Sequence, residues 1–242
     1  MFSYFFNTVF FEPLYNGLVF LAAIMPGNDL GLAIIALTIL VKIMLIPLSH
    51  KAMTTQNKLK VLEPEIAKVK EKYKDNQEQA LKIMTLYKEH GINPFASLLV
   101  LLIQIPIVFA LYFVFRDKLD LVSPFIYDFT LRPETLNPYL FGIVDMSAKN
   151  NYLLAFLTGL GQFFQMKLAL PPMPKPVAGK EVSFKDELAR SFSLQSQYVL
   201  PILLIFVSLQ FSAALPLYWF VSSLFAIAHE LFIRRKAKAI LG

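Results

Sequence analysis

Long apolar runs dominate the chain and predict helices that cross a membrane. Each run is about 16–21 residues long, close to the roughly 20 residues that a helix needs to cross ~30 Å of hydrocarbon. The last two runs are separated by little more than one residue, which predicts a tight hairpin between them. The five predicted spans cover residues 31–49, 95–115, 151–168, 198–213 and 215–233.

The first 25 residues are also apolar, but polar residues interrupt them at Asn7, Glu12 and Asn16. We predict an amphipathic helix that lies in the membrane interface. A sixth span is the alternative. A Pro-Gly-Asn-Asp turn at 26–29 leads into the first span. The predicted organisation is therefore an extracytoplasmic interfacial helix and turn at 1–30, followed by a five-span core at 31–242.

Residues 54–90 carry two shorter apolar stripes on a charged background, with helical spacings of three and four residues. A Lys-Asp-Asn break at 74–76 separates the stripes, so we predict an antiparallel helical hairpin within 50–94. Two interpretations stay open: a solvated connector, or a contact surface for an incoming polypeptide or targeting factor. The stripes are formed by Leu59, Leu62, Ile66, Val69 and Tyr73, then by Ala80, Ile83, Met84 and Tyr87.

Composition supports a polytopic membrane protein. Hydrophobic residues make up 56% of the chain, charged residues 17%, and the mean hydropathy is +0.55. Soluble domains carry roughly 25% charged residues, so the composition excludes disorder, a nucleic-acid arm and an ordinary water-soluble enzyme domain. The absence of cysteine excludes a disulfide framework, thiolate metal sites and a cysteine nucleophile.

The distribution of charge predicts the orientation. Residues 50–94 hold nine Lys and six acidic residues, whereas residues 116–150 hold four basic and five acidic ones. Residues 167–197 and the tail from Glu230 are also basic. By the positive-inside rule the basic segments are cytoplasmic. The N-terminus is then outside and the C-terminus inside, which requires an odd number of spans.

A lysine within the first span, Lys42, is the main candidate for function. A charge at the middle of a membrane-spanning helix costs about 2.5–3.5 kcal/mol on the insertion scale, so such a residue is a candidate for function. No Asp or Glu lies inside the predicted spans before Glu230. Lys42 therefore either snorkels to the cytoplasmic end of its helix or faces water.

Polar residues at helical spacing in all five spans favour the second choice. Each span carries such a stripe. The stripes are, in chain order, Gly31, Thr38, Lys42 and Ser49; Ser97, Gln104 and Tyr112; Thr158, Gln162 and Gln165; Ser208 and Ser212; and Tyr218, Ser222 and His229. One polar residue in a span usually joins two helices, but five stripes indicate a shared wet interior. The sequence thus predicts a hydrophilic cavity open to the cytoplasm, with Lys42 as its one fixed positive charge.

Four stretches, in this order and spacing, resemble the YidC family of membrane protein insertases. The most specific are the INP, QIPI and ALY motifs within 92–112 and the PLYW motif at 216–219. The resemblance covers nearly the whole chain from about residue 12. The stretches are GLAIIALTILVKIMLIPLS, LEPEIAKVKEKYKDN, LYKEHGINPFASLLVLLIQIPIVFALY and LPLYWFVSSLFAIAHE.

The resemblance implies an all-α, five-span bacterial inner-membrane insertase core with a cytoplasmic hairpin and a positively charged groove open to lipid and cytoplasm. It implies groove residues Thr38, Lys42, Gln104, Tyr218 and Trp219, where Lys42 replaces the usual arginine. It implies no catalytic residue, cofactor, metal or sequence-specific nucleic acid. The implied partners are nascent membrane proteins and the lipid bilayer, with the ribosome and the Sec translocon as further candidates.

Three rival functions remain for comparison. A small-anion transporter or channel could use Lys42 as its anion site, although no internal repeat supports it. An intramembrane enzyme is disfavoured, because His50, His90 and His229 are the only histidines and no HExxH motif or pair of in-span aspartates exists. A lipid scramblase would share the groove open to lipid.

Overall fold

The computed structural model describes residues 2–73, 75–93, 96–116, 119–169, 191 and 194–241. It forms two compact units, Met1–Met44 with Gln104–Leu231 and Leu45–Ile103 with Phe232–Gly242. Several predicted features lie outside the described residues. These are most of the basic segment at 167–197, Lys74 in the predicted break, and the side chains of Ser97, Lys236 and Lys238.

The described part of the chain is mostly helical. Three short elements accompany the helices: a π-helical turn at Asn7–Phe11, a second at Gln195–Val199, and a two-stranded antiparallel sheet of β1 (Tyr139–Leu140) and β2 (Val144–Asp145). The helices are α1 (Phe2–Phe6), α2 (Glu12–Ile24), α3 (Leu30–Met44), α4 (Ile46–Lys72), α5 (Asn76–Glu89), α6 (Ala96–Arg116), α7 (Tyr152–Ala169), α8 (Leu200–Gln210) and α9 (Ala214–Leu241).

Long apolar helices agree with the prediction of a membrane protein, although they do not fix the number of spans. Within the described residues, Ser3–Ile24 and Ala214–Arg235 are each long and apolar enough to cross a membrane. A third span is formed if α3 and the helix after it count as one bent span. Leu102–Arg116 and Gln195–Gln210 are shorter apolar helices. The count of five spans therefore stays a prediction.

The first predicted span, 31–49, is not one continuous helix. Helix α3 ends at Met44, and α4 begins at Ile46 with Pro47 in its first turn. Proline has no backbone N–H, and its ring clashes with the carbonyl of the residue four positions earlier. A helix that passed unbroken through Pro47 would place the Ile43 carbonyl against that ring, so the chain breaks at Leu45.

The loop between α6 and α7 is fastened to α2 through a buried asparagine. Asn16 donates to the Phe125 carbonyl at 2.8 Å and accepts from the Tyr127 amide at 2.8 Å and the Thr130 hydroxyl at 2.7 Å. One residue earlier, the Tyr15 hydroxyl donates to the Asp120 carbonyl at 2.6 Å. A polar position that interrupts an apolar helix thus holds a loop more than 100 residues away in the sequence.

The same loop is held at the start of α3 by Asp29, which is buried. One carboxylate oxygen accepts from the Leu32 amide at 2.9 Å, as an N-terminal helix cap, and the other accepts from the Phe141 amide at 2.7 Å. A Cβ atom on Gly31 would come within 2.4 Å of the Leu140 side chain. Only glycine allows the β-hairpin to approach α3 this closely.

Helices α7, α8 and α9 pack through small residues. A Cβ atom on Gly159 would come within 2.4 Å of Ile205 in α8, and one on Gly161 would come within 3.1 Å of Ser223 in α9. The Thr158 hydroxyl is fully buried and donates to the Pro216 carbonyl at 2.9 Å. Small residues and buried hydroxyls are the usual means of helix association in membranes.

In the other unit, α4 packs against α5. Asp75 caps α5 by accepting from the Glu78 amide at 2.9 Å, and the Gln79 amide donates to the carbonyls of Lys70 and Tyr73. Leu62 is the buried member of the first predicted stripe, whereas Met84 of the second is 45% exposed. Burial at this contact also raises the pKa of the Tyr87 hydroxyl.

Candidate functional site

Lys42 lies near the end of α3 and is half-buried. It follows Leu30 by 12 residues, so its Cα is about 18 Å along the helix from the start of α3. Its ammonium donates to the side-chain oxygen of Gln104 in α6, with 3.1 Å between Nζ and Oε1. The lysine inside the first predicted span is therefore held by a neutral amide.

The Gln104 amide continues this contact to a third helix. Its Nε2 donates to the hydroxyl oxygen of Tyr218 in α9. A lysine ammonium can only donate, so it requires the oxygen of Gln104 to face Lys42 and the NH₂ group to face Tyr218. Lys42, Gln104 and Tyr218 thus form a hydrogen-bonded chain with one defined polarity, and we call these three residues the Lys42 chain.

The protein is tightly packed beside Tyr218. Thr38 is buried, and its hydroxyl donates to the Ile34 carbonyl of its own helix at 2.6 Å. Thr38 and Tyr218 border a void of only about 10 Å³ whose other walls are apolar. A water molecule needs at least this volume and two to four polar partners. Side chains therefore fill the space immediately beside Thr38 and Tyr218.

On another side, Lys42 adjoins apolar surface. Ile39 is 39% exposed, Ile43 is 53% exposed and Met44 is 70% exposed. In a membrane protein such surface contacts lipid acyl chains. Lys42 therefore lies at the border between the packed interior of the unit and an apolar face that would meet lipid.

Trp219 does not join the Lys42 chain. It follows Tyr218 directly, so helical geometry turns it about 100° around α9. Its ring packs edge-on against Phe211, with 6.2 Å between ring centroids, and Phe211 packs in turn against Tyr112 at 5.5 Å. Of the five residues implied by the resemblance, three are hydrogen-bonded together, Thr38 lies beside Tyr218, and Trp219 belongs to a separate aromatic cluster.

The polar stripes of the other spans have mixed roles. Thr158 joins α7 to α9, as described above. Ser208 in α8 is buried, and its hydroxyl has no hydrogen-bond partner among the described residues. Gln162 and Gln165 are half-buried. Some of the polar residues that indicated a shared wet interior thus serve helix packing.

Direct contact between Lys42 and Gln104 was not predicted, although the sequence contains its signal. Lys42 lies 12 residues after the start of α3, and Gln104 lies 12 residues before the end of α6 at Arg116. Consecutive antiparallel spans place such residues at equal depth.

Over the described ranges, no group of three His, Asp or Glu side chains could hold a metal ion.

These features define a polytopic helical membrane protein with a lysine held among its helices. The chain matches the family described as 60Kd inner membrane protein over residues 20–239. It belongs to this family, which confirms the resemblance seen in the sequence motifs.

Three curated relatives illustrate the similarity, and each is named membrane protein insertase YidC. The protein from Wolinella succinogenes is 34% identical over 239 residues, 98% of this chain and 39% of the relative. That from Campylobacter jejuni is 33% identical over 226 residues, 93% and 37% of the two chains. That from Francisella tularensis subsp. novicida is 35% identical over 212 residues, 86% and 33%. The chain thus spans less than two fifths of the length of these relatives.

Proposed function

We propose that this chain is a membrane protein insertase that carries short polar segments of nascent membrane proteins across the bilayer. The observation that carries the proposal is the Lys42 chain beside an apolar face. It offers a fixed positive charge to a polar substrate segment and lets the apolar part of the substrate leave toward lipid. The names of the curated relatives support the same function.

The mechanism follows from the cost of moving polar groups through hydrocarbon. Each bare polar group costs several kcal/mol there. A groove that opens to the cytoplasm and ends at the packed Thr38 region shortens the apolar distance to be crossed. Lys42 attracts acidic residues of the substrate into the groove. The membrane potential, worth about 2.3 kcal/mol per charge per 100 mV, then assists their release to the outside.

Lysine in place of arginine changes the chemistry of the groove. Arginine presents a rigid fork that holds a carboxylate in a bidentate manner, whereas lysine presents a compact charge on a flexible stem. Because one Lys42 donor already binds Gln104, the amide positions the ammonium without neutralising it. We infer that Lys42 acts as an electrostatic attractor rather than as a bidentate carboxylate receptor.

We further propose five spans with the N-terminus outside, so that α1 and α2 lie in the outer interface. The contacts of this helical segment support this placement. The Phe6 ring lies 6.1 Å from Phe113, three residues before α6 ends, and at the other end the Asn28 carbonyl accepts from the Asn137 amide at 3.1 Å. A spanning helix of 22 residues would separate its ends by about 33 Å across the bilayer. Here one end lies beside the last turn of α6 and the other lies beside the loop that follows α6. Both ends therefore lie near the same end of α6.

The segment at 50–94 is proposed as a cytoplasmic antiparallel hairpin. Its nine lysines favour that side, and the packing of α4 against α5 supports the pairing. Val61 and Leu81 are 76% and 68% exposed, which favours a contact surface over a plain connector. The ribosome and the Sec translocon are the proposed partners of this surface and of the basic tail.

A reconstituted insertion assay tests the groove charge. Purified variants in liposomes would receive two substrates that differ only in acidic or neutral residues in the translocated segment. Two unit charges 4 Å apart attract by about 1 kcal/mol in water and about 4 kcal/mol at an effective dielectric constant of 20. Lys42→Ala should therefore insert the acidic substrate at least about fivefold less well, with little effect on the neutral one. Lys42→Arg should retain activity, and Lys42→Glu should be the least active.

The double variant Lys42→Ala with Gln104→Leu separates charge from hydration. If polar groove groups also keep the groove wet, the second change should remove the insertion activity that the first leaves. Equal insertion of acidic substrates by wild type and Lys42→Ala would refute the electrostatic mechanism. Loss of uptake of one small anion from depleted cells, with membrane proteins inserted normally, would favour the transporter instead.

A further inference from the structure

A second cavity lies away from the Lys42 chain, where several helices end. It has a volume of about 290 Å³. Its walls come from the last turn of α6, the segment before α7, the end of α8 and the first turn of α9. In the proposed topology these ends lie at the outer surface of the bilayer. We call this space the outer cavity.

Two cations line the outer cavity, Arg116 and Lys149, together with the polar side chains of Ser147, Gln210 and Ser212. None of its described lining residues is an Asp or Glu. The surrounding segment, residues 116–150, holds five acidic and four basic residues. Two of these four basic residues therefore border one cavity, so its described lining carries two positive charges in a segment with one more acidic than basic residue.

The remaining walls are apolar, formed by Tyr112, Phe115, Phe211 and Leu215. Tyr112 and Phe211 pack edge to face with 5.5 Å between their ring centroids. The cavity thus has cationic and hydroxyl groups together with an aromatic and aliphatic wall. This combination matches an amphipathic anion better than a free inorganic one.

Backbone hydrogen bonds hold the cavity open. The Ala213 amide donates to the Ala148 carbonyl at 2.8 Å, and the Ala214 amide donates to the Met146 carbonyl at 3.1 Å. The Asn150 amide donates to the Leu209 carbonyl at 3.3 Å. These bonds tie the segment before α7 to the turn between α8 and α9, so the cavity is preformed. A preformed site loses little entropy when a ligand binds.

We propose that the outer cavity binds the phosphate headgroup of an anionic phospholipid of the outer leaflet. Its volume of about 290 Å³ lies just below the roughly 300–1,000 Å³ of small-molecule pockets, which suits a headgroup and its glycerol rather than a whole lipid. Guanidinium and ammonium groups are the usual phosphate ligands in proteins. The apolar walls would receive the first carbons of the acyl chains.

The single tryptophan provides the readout. Trp219 packs against Phe211, a wall of the cavity. Fluorescence titration of the purified protein in a non-ionic detergent would compare short-chain phosphatidylglycerol, phosphatidylcholine with the same acyl chains, and inorganic phosphate. Phosphatidylglycerol should bind at least tenfold more tightly than phosphatidylcholine. Inorganic phosphate should bind more weakly than phosphatidylglycerol, or should show no binding.

Charge variants assign the binding to the cavity. Lys149→Gln should raise the Kd for phosphatidylglycerol about fivefold, and Lys149→Glu should raise it further. Arg132→Gln is the matched control, because Arg132 is an exposed basic residue of the same loop that does not line the cavity. It should leave the Kd unchanged within twofold. Arg116→Gln is an independent second variant and should weaken binding as Lys149→Gln does.

Several results would overturn the proposal. Equal affinity for the two lipids would exclude headgroup recognition by charge. Equal weakening by Arg132→Gln and Lys149→Gln would indicate general attraction to the cations of the loop rather than binding in the cavity. Binding of inorganic phosphate as tightly as the lipid would make this an ion site. Tighter binding of an acidic peptide than of the lipid would assign the cavity to an emerging protein segment.

Discussion

Replacing Asn16 by leucine should release the loop between α6 and α7. The Asn16 side chain is 94% buried, since only 6% of its surface is exposed, and it makes three hydrogen bonds to Phe125, Tyr127 and Thr130. A net contribution of about 1 kcal/mol per bond gives roughly 3 kcal/mol for the three. Leaving the buried Thr130 hydroxyl without its acceptor adds to this loss.

Hydrogen exchange in detergent measures this loss at the loop itself. Because 1.4 kcal/mol corresponds to a factor of ten, the Tyr127 amide should exchange about a hundredfold faster in Asn16→Leu. Chemical unfolding of the purified protein gives the global effect. Asn7→Leu is the control, because Asn7 lies on the same helical segment away from the loop contacts of Asn16. Unchanged exchange at Tyr127 in Asn16→Leu, or an equal acceleration in Asn7→Leu, would refute the reasoning.

Three further predictions concern other parts of the molecule. Gly159→Ala should destabilise the packing of α7 on α8 by about 1–3 kcal/mol, measured by thermal unfolding in detergent; an unchanged melting temperature would contradict the close approach. Cysteines at Lys68 and Lys82, in this cysteine-free chain, should react with an impermeant thiol reagent in inverted vesicles and not in intact cells; labelling from outside would overturn the topology. Tyr218→Phe should lower stability by about 1–3 kcal/mol, since the Gln104 amide loses its acceptor, but should impair insertion of acidic substrates less than Lys42→Ala does.

The apolar runs located several helices well, because a helix that is surrounded by hydrocarbon needs a continuous run of apolar residues of about the bilayer thickness. The predicted span at 95–115 corresponds to Ala96–Arg116, and that at 151–168 corresponds to Tyr152–Ala169. The break at Leu45 was missed, although Pro47 carries the signal. The β-hairpin was also missed, because its two-residue strands are too short for a periodic pattern and depend on Asp29 and Gly31 more than 100 residues earlier.

The residues of the Lys42 chain could be named from the sequence, but the hydrogen bonds between them could not be predicted. Lys42 stood out by its charge, and Gln104 and Tyr218 were named through family motifs. The order of the hydrogen bonds depends on which helices are neighbours, and residue spacing within one helix does not contain that information. For the same reason the stripe that includes Thr158 indicated water, whereas that hydroxyl joins two helices.

The contacts of Asn16 and Asp29 also constrain how this chain is made. Their loop partners follow them by 109–114 residues, so at a synthesis rate of about 5–20 residues per second these groups wait about 5–20 s for their partners to emerge from the ribosome. Until then Asn16 has only the Glu12 carbonyl as a partner and Asp29 only the Leu32 amide, and their remaining polar atoms are costly to hold in hydrocarbon. In the proposed topology, the N-terminal helix therefore remains in the hydrated interface while the next spans insert. Its docking onto the loop is then a late step in the biogenesis of this protein, and a mutation at Asn16 would slow maturation as well as weaken the folded state.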